Sequence, residues 1–310
     1  MVSLRLAALL AVLATSSAFV PDIRTKNVKG LFSSSMDSSS TSTGVSPGVS
    51  PGTPTPGDTS PGGMLAKSKE EVWETLSPIK VQGGSLRTWS FTTPAIDSVQ
   101  VHLKTEGRPL NANVELWQGP DNTPQKLAVY LEDGGLRPFR AVILSPGDQN
   151  SIAIRNTAQM EYPLFAGVEA NLKSSSSELS LSEQVSQIDA KRVIQGGAVF
   201  TMPFAPSVAS VQILLKTDGR PLNARIELLQ GPNNVKQVME VYTEDGTERP
   251  FYTIIETPGT GNVVRIVNTA TVEFPILANV EPFMVEEASD DLFVVSDEGE
   301  GGSNFFYMSK

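Results

Sequence analysis

The sequence predicts an all-β fold made of two tandem, duplicated modules of the β-sandwich or jelly-roll type. Three observations predict it: a long internal repeat, strict alternation of apolar and polar residues, and frequent turn residues. Val99, Val101 and Leu103, for example, alternate with polar residues, which is the period of a β-strand. The 310 residues include 25 Gly and 22 Pro, which suits short antiparallel strands joined by tight turns.

The repeat relates residues 99–170 to residues 211–282 at a constant offset of 112, and about half of the paired positions are identical. Its longest shared motif is Lys-Thr-Glu/Asp-Gly-Arg-Pro-Leu-Asn-Ala, which begins at Lys104 and again at Lys216. Gln-Gly-Pro, Glu-Asp-Gly, Arg-Pro-Phe and Asn-Thr-Ala also recur. A repeat of this length predicts two whole domains and not the short units of a solenoid. We therefore assign module 1 to residues 65–172 and module 2 to residues 173–282.

A short helix is predicted at the start of each module. Ser68 is followed three residues later by Glu71, and Ser180 by Glu183. Each pair forms a capping box, in which Ser and Glu satisfy each other's backbone N–H groups at a helix N-terminus.

The N-terminal region predicts targeting segments and a spacer. Residues 1–18 resemble a signal peptide, because an apolar run follows Arg5 and the small residues Ser16 and Ala18 precede a cleavage site before Phe19. Residues 19–43 are basic and rich in Ser, as in a plastid transit peptide. Residues 44–64 repeat Ser-Pro-Gly and Thr-Pro units, so we expect a disordered linker.

Composition excludes several functions. The net charge is −10, so nucleic acid is not an expected partner. The absence of Cys rules out disulfides and thiolate metal sites. The single His, His102, is expected in mid-strand, and Leu214 occupies the equivalent position in module 2. We find no phosphate-binding glycine loop, no membrane span and no paired acid and base, and we therefore predict no enzyme and no cofactor.

The shared motif has an ordinary structural interpretation as a turn. Gly107 is expected at positive φ, Asn111 is expected to bond nearby backbone, and Arg108 is expected to bridge Glu132 between loops. The same motif is also our candidate for self-assembly, since both modules carry it. Its candidate residues are Arg108, Asn111, Arg220 and Asn223.

Residues 283–310 predict an extended tail that docks on neighbouring chains. Seven acidic residues lie there against Lys310, which places −6 of the −10 charge in the last 28 residues. A purely solvating tail would have few aromatic residues, yet this one has several. We expect them to attach to another copy, for example as an added strand. The candidates are Phe293, Phe305, Phe306 and Tyr307.

The duplicated motifs resemble those of the pyrenoid shell proteins of diatoms and related algae, over about residues 80–310. The segment Ser17-Ala18-Phe19-Val20-Pro21 is also similar to the leader cleavage context of complex plastids of red-algal origin. The resemblance implies a lattice-forming protein of the chloroplast stroma, at the periphery of the pyrenoid, that encloses Rubisco and supports CO₂ concentration and fixation. It implies no catalysis and no cofactor. The implied partners are further copies of the chain, with Rubisco and other pyrenoid proteins as candidates.

One alternative is a tandem carbohydrate- or ligand-binding sandwich without catalysis. It requires solvent-facing aromatic residues on one face of each module. Trp117 is a candidate in module 1, but Leu229 occupies the equivalent position in module 2.

Overall fold

Sixteen strands and two short helices make up the described part of the chain. The computed structural model describes residues 68–145, 149–173 and 179–286. The predicted signal, transit and linker segments lie outside these residues, as does the tail beyond Glu286. The elements in chain order are α1 (Lys69–Thr75), β1 (Ile79–Val81), β2 (Leu86–Phe91), β3 (Ile96–Lys104), β4 (Leu110–Gln118), β5 (Asn122–Leu131), β6 (Phe139–Leu144), β7 (Asn150–Asn156), β8 (Leu164–Leu172), α2 (Leu181–Gln187), β9 (Arg192–Ile194), β10 (Val199–Pro203), β11 (Val208–Lys216), β12 (Leu222–Gln230), β13 (Val235–Thr243), β14 (Phe251–Glu256), β15 (Asn262–Asn268) and β16 (Ile276–Val285).

Both predicted helices form, and both begin with the predicted capping box. Ser68 accepts a hydrogen bond from the Glu71 N–H while the Glu71 carboxylate accepts one from the Ser68 N–H. Ser180 and Glu183 repeat the arrangement at the start of α2. Each helix has only seven residues, too few to be stable alone, so each depends on packing against the sheet beneath it.

The strands form two eight-stranded antiparallel sheets packed face to face, which confirms the predicted sandwich. Sheet A has the order β1-β8-β3-β6-β14-β11-β16-β9, and sheet B has the order β10-β15-β12-β13-β5-β4-β7-β2. Within module 1 the two orders are 1-8-3-6 and 2-7-4-5, which is the jelly-roll arrangement of two Greek keys. Module 2 repeats it with strands β9 to β16.

The two modules are joined edge to edge and share both sheets. In sheet A the junction is between β6 and β14, and in sheet B it is between β5 and β13. Ala128 pairs with Glu240, and Ala141 pairs with Thr253. In both pairs the partners are equivalent residues of the repeat, 112 positions apart. A two-fold pseudosymmetry axis therefore passes through both pairs, perpendicular to the sheets, and relates module 1 to module 2.

One apolar core runs through both modules between the sheets. Leu127 and Val129 of β5 and Met239 and Val241 of β13 are buried in the same cluster as the central residues of each module. The junction strands thus bury their inner faces as fully as the other strands do. In each sheet, one edge of each module is covered by the other module. A separate small domain of about 90 residues would leave that edge exposed.

Reciprocal polar contacts hold the junction at both ends of the strands. The Arg137 Nη2 donates to the Gln230 Oε1 at 3.0 Å, and the equivalent Arg249 Nη2 donates to the Gln118 Oε1 at 3.0 Å. Both guanidinium groups are buried. Burial lowers the pKa of Arg137, and the nearby carboxylates of Glu132 and Asp133 partly offset this. The repeated Arg-Pro-Phe and Gln-Gly-Pro motifs therefore bind the modules to each other.

Both helices lie on the outer side of sheet A. Leu181 and Val185 of α2 pack on Val142 of β6 and on Tyr252 of β14, so α2 covers the junction. In α1, Trp73 meets His102 of β3 edge to face, with 6.1 Å between ring centroids. Sheet A is therefore covered on both faces, while in the described residues the outer side of sheet B carries no helix.

We predict that Gln230→Ala lowers the free energy of unfolding by about 2–3 kcal/mol, because it leaves the buried Arg137 guanidinium without its acceptor. Gln230 also donates to the carbonyls of Pro258 and Thr260, and these bonds are lost as well. Urea unfolding would measure the change. The control is Gln82→Ala, at an exposed turn position, which should have little effect. Equal effects of the two substitutions would contradict a role of Gln230 at the junction.

Candidate assembly surfaces

Among the described residues, the most exposed large apolar side chain of each module lies in the loop before the module's last strand. We call residues 157–163 and 269–275 the tip loops. Met160 is 80% exposed in the first, and Val272, its repeat equivalent, is 74% exposed in the second. Because the pseudo-two-fold axis is perpendicular to the sheets, the two tip loops lie at opposite ends of the strands. The sequence motifs did not single out these residues, although their shared position in the repeat could have.

The predicted arginines lie against these tip loops. The guanidinium of Arg108 lies over the ring of Tyr162 at 5.7 Å, and that of Arg220 over the ring of Phe274 at 5.7 Å. The Arg220 Nη1 also donates to the Glu273 carbonyl at 2.6 Å. These three contacts place the turn of each repeated motif beside the tip loop of its own module. Arg108 and Arg220 therefore belong to one local surface in each module.

The expected bridge from Arg108 to Glu132 is replaced by other contacts. Glu132 forms an ion pair with Lys236 of module 2, and its N–H donates to the Lys236 carbonyl at 2.9 Å. Sequence reasoning missed this partner because it belongs to the other module. The expected positive φ of Gly107 is present, at 69°.

The predicted asparagines anchor the tip loops through their backbone. The Asn111 carbonyl accepts from the Thr157 N–H at 3.0 Å, and the Asn223 carbonyl accepts from the Thr269 N–H at 3.1 Å. Their side chains alternate with the buried residues of β4 and β12 and so lie on the outer side of sheet B. Each motif thus connects a tip loop with that face.

A second asparagine in each module holds the tip loop to the edge strand. The Asn156 amide donates to the carbonyls of Val81 at 3.1 Å and Tyr162 at 2.8 Å, and its oxygen accepts from the Ala158 N–H at 3.0 Å. Asn268 makes the same three bonds in module 2. The recurring Asn-Thr-Ala motif is therefore a structural support for the tip.

The outer side of sheet B is a broad polar surface, which we call the open face. Tyr130 and Tyr242, equivalent residues on the two sides of the pseudo-two-fold axis, are 38% and 37% exposed there. A shallow depression of about 480 Å³ lies across the junction, with Asn113, Lys126 and Glu240 among its lining residues. The small side chain of Ala128 at the axis leaves this space between larger neighbours.

The two halves of the open face differ in charge. In module 2, Glu227 is buried between Arg225 and Arg265 and forms ion pairs with both. The equivalent of Glu227 in module 1 is Glu115, which accepts instead from the indole N–H of Trp117 at 2.8 Å. Trp117 is thus partly covered and engaged within its own strand, so it is not a freely exposed aromatic residue.

The described residues bring no catalytic constellation together. His102 is buried under Trp73, in agreement with its predicted mid-strand position. No group of three or more His, Cys, Asp or Glu side chains in the described ranges could hold a metal ion. Neither helix among these residues is long and apolar enough to cross a bilayer. The tail candidates Phe293, Phe305, Phe306 and Tyr307 lie outside the described residues.

Comparison with family models decides which family this architecture represents. The model described as diatom pyrenoid shell protein matches residues 73–282, which span both modules. The chain belongs to the diatom pyrenoid shell protein family. The resemblance noted in the sequence is thereby confirmed. Comparison with curated proteins gave no match.

Solved structures similar to this pyrenoid shell protein are distant. A structure that describes the substrate binding mode of oxalate decarboxylase is 9% identical to this chain. The match covers 64% of this chain and 67% of that chain, with a TM-score of 0.19. Oxalate decarboxylase from Bacillus subtilis at pH 4.6 is 8% identical, with 63% and 68% covered and a TM-score of 0.18. Scores this low support no conclusion about activity.

We predict that Asn156→Ala lowers the free energy of unfolding by about 2–4 kcal/mol, since the three hydrogen bonds of this buried side chain are lost together. Protease cleavage within the tip loop should increase at the same time, because edge strand β1 and the loop lose their common anchor. Asn113→Ala, on the open face, is the control and should leave both measurements nearly unchanged. A stable Asn156→Ala variant with an intact tip loop would contradict the assignment.

Proposed function

We propose that this chain is a structural, self-assembling protein whose copies form a sheet around the Rubisco-containing pyrenoid, in the chloroplast stroma. Membership of the pyrenoid shell family supports the proposal most directly. The internal pseudosymmetry is the structural observation that carries it. In this role the protein needs no cofactor and catalyses no reaction, and it supports CO₂ concentration by enclosing the compartment. Further copies of the chain are its main partners, and Rubisco is a candidate partner on one side.

The pseudosymmetry gives every copy two similar contact regions that face in opposite directions. Met160 at one tip and Val272 at the other are each available to a neighbour on a different side. Since the two regions are related but not identical, a contact between unlike tips does not close on itself. Repetition of such a contact extends an array, which is what a continuous shell requires.

The strength of a single contact is expected to be low. Burying one exposed side chain such as Met160 contributes about 1.5–3 kcal/mol at most, and association entropy offsets much of this. Several weak contacts per copy still stabilise a sheet through avidity. Assembly should therefore depend steeply on protein concentration.

We predict that residues 65–310, purified and imaged by electron microscopy at rising concentration, form sheets or tubes above a threshold. A fluorescent fusion of the full chain should accumulate at the pyrenoid boundary. Monodisperse single chains at high concentration in stroma-like salt, or even fluorescence through the stroma, would contradict the proposal.

Matched substitutions at the tips test their part in assembly. Met160→Glu and Val272→Glu should raise the threshold concentration by about tenfold or more, because each places a charge in the contact. Their thermal stability should not change, since both side chains are exposed. Thr88→Glu, at an exposed position in the middle of β2 and outside both tip loops, serves as the control. Unchanged thresholds in both variants would exclude the tips.

A second candidate function, carbohydrate binding, is favoured by one observation. Tyr130 and Tyr242 are solvent-facing aromatic residues at equivalent positions on the open face, which is what this alternative requires. Aromatic faces combined with planar polar groups such as those of Asn113 and Glu240 can bind sugar rings.

For this second function we expect binding on a glycan array that Tyr130→Ala and Tyr242→Ala abolish together, because both sugar-stacking faces are then removed. Phe204→Ala is the control, because Phe204 is an aromatic residue that packs against the core and not on the open face. This variant should still bind the glycan. Absence of binding by the unmodified protein would eliminate carbohydrate as the ligand.

A further inference from the structure

An incomplete edge of sheet A lies at the end of module 1. Edge strand β1 pairs only with Leu164, Phe165 and Ala166 of β8. Strand β8 continues to Leu172 and is paired along that length with β3 on its other side. Residues 167–172 of β8 therefore have no neighbouring strand on their outer side within the described part of the chain. We call this stretch the β8 edge.

The sandwich is also open beneath this edge. Strands β1 and β2 leave the same turn, but β1 spans three residues and β2 spans six. Trp89 and Phe91, at the far end of β2, thus extend beyond β1, and both are only partly buried where they pack on the core. Val168 is likewise partly buried there, and Leu172 is 62% exposed. We call the β8 edge together with these four side chains the slot; its inner end adjoins Leu76, which precedes β1 and lies against Gly167.

Module 2 has the equivalent stretch, but there a proline alters it. Edge strand β9 pairs only with Ile276, Leu277 and Ala278 of β16. The position equivalent to Ala170 is Pro282, which has no N–H to offer. A proline is tolerated in a strand where its nitrogen faces away from the ladder. The Pro282 nitrogen therefore faces the free edge, and the N–H of Ala170 faces it at the corresponding place in module 1.

The surroundings of the two slots also differ in charge. Lys80, Arg87 and Lys173 are exposed around the module 1 slot. In the β1–β2 region the repeat offset is 113, so Val193 and Phe200 are equivalent to Lys80 and Arg87, and Val285 is equivalent to Lys173. Module 2 carries Lys191 and Arg192 where module 1 has Pro78 and Ile79, so the module 1 slot has three basic residues against two.

We propose that the β8 edge of one copy receives residues 291–296 of the tail of a neighbouring copy as an added strand. This inference rests on the proposed function, since it concerns how two copies join. The segment reads Asp-Leu-Phe-Val-Val-Ser, and acidic residues lie on both sides of its apolar centre. Its apolar side chains suit Trp89 and Phe91, and its flanking acids suit the basic surroundings of the slot.

The chain's own organisation supports this choice of occupant. Each copy has one tail and, because of Pro282, only one of its two sheet A slots offers a backbone N–H at that position, so tails and slots with this N–H match one to one. The tail begins after β16, at Glu286 in module 2, whereas the acceptor lies at the end of module 1. Each contact consequently joins the module 2 end of one copy to the module 1 end of the next, and it leaves both remaining ends available for further copies.

Substitution of Ala170 by proline gives a direct test. Ala170→Pro reproduces in module 1 the residue that module 2 already accommodates, so the fold and melting temperature should be retained. It removes the N–H that an added strand needs, and the threshold concentration for sheets should rise about tenfold or more. Ala170→Ser, which keeps the N–H, is the matched control and should assemble normally. A properly folded Ala170→Pro variant with an unchanged threshold would overturn the proposal.

Crosslinking tests the same contact independently of any change in stability, since the chain has no Cys. Chains with Leu172→Cys are mixed with chains with Phe293→Cys and treated with a short, flexible bismaleimide. We expect covalent heterodimers. Met284→Cys, the module 2 equivalent of Leu172, should give far fewer with the same partner. Equal yields from Leu172→Cys and Met284→Cys, or no dimers at all, would contradict the proposal.

The same mixtures separate this inference from the proposed function. Sheets without crosslinked dimers would overturn the β8 contact and leave the shell-forming role standing. Dimers without sheets would support the contact and count against that role. A chain carrying both Leu172→Cys and Phe293→Cys that crosslinks only within itself would show that the tail folds back, and the intermolecular contact would be excluded.

Discussion

The pairing of equivalent strands across the junction is the constraint on which the rest of the structure depends. Ala128 opposite Glu240 in one sheet and Ala141 opposite Thr253 in the other fix a single axis through both layers. Because the register of a strand pair determines which side chains face inward, this pairing also aligns the inner faces of the two modules. The continuous core, the reciprocal Arg–Gln contacts and the opposite directions of the tip loops all follow from it.

The same constraint explains why the repeated motifs are arranged as they are. Arg137 reaches Gln230 of module 2 at one end of the junction strands, and the equivalent contact between Arg249 and Gln118 lies at the opposite end. Asn156 and Asn268 serve the outer ends of the molecule instead, where they fasten edge strands and tip loops. The repeat thus contains one set of residues for joining modules and another for shaping the free ends.

Much of this fold could be predicted from the sequence because its signals are local. Alternation along Val99, Val101 and Leu103 predicted a strand, and the Ser68 capping box predicted a helix that the structure contains. The shared sheets could not be predicted, since β5 would show the same alternation at a free edge as in the middle of a sheet. Arg137 and Gln230 are 93 residues apart, and neither residue by itself indicates its partner. Of the candidate site residues, the motif arginines and asparagines lie around the tip loops. The sequence motifs do not indicate that Tyr130 and Tyr242 are exposed on the open face.

The placement of both helices on sheet A has a consequence for any layer built from this chain. Rotation about an axis perpendicular to the sheets exchanges the modules but leaves α1 and α2 on the same side. Copies arranged by rotations of that kind would all present helices toward one compartment and bare strands, with their tyrosines and charged pairs, toward the other. Such a wall has a chemically distinct inside and outside, so molecules on its two sides would meet different surfaces.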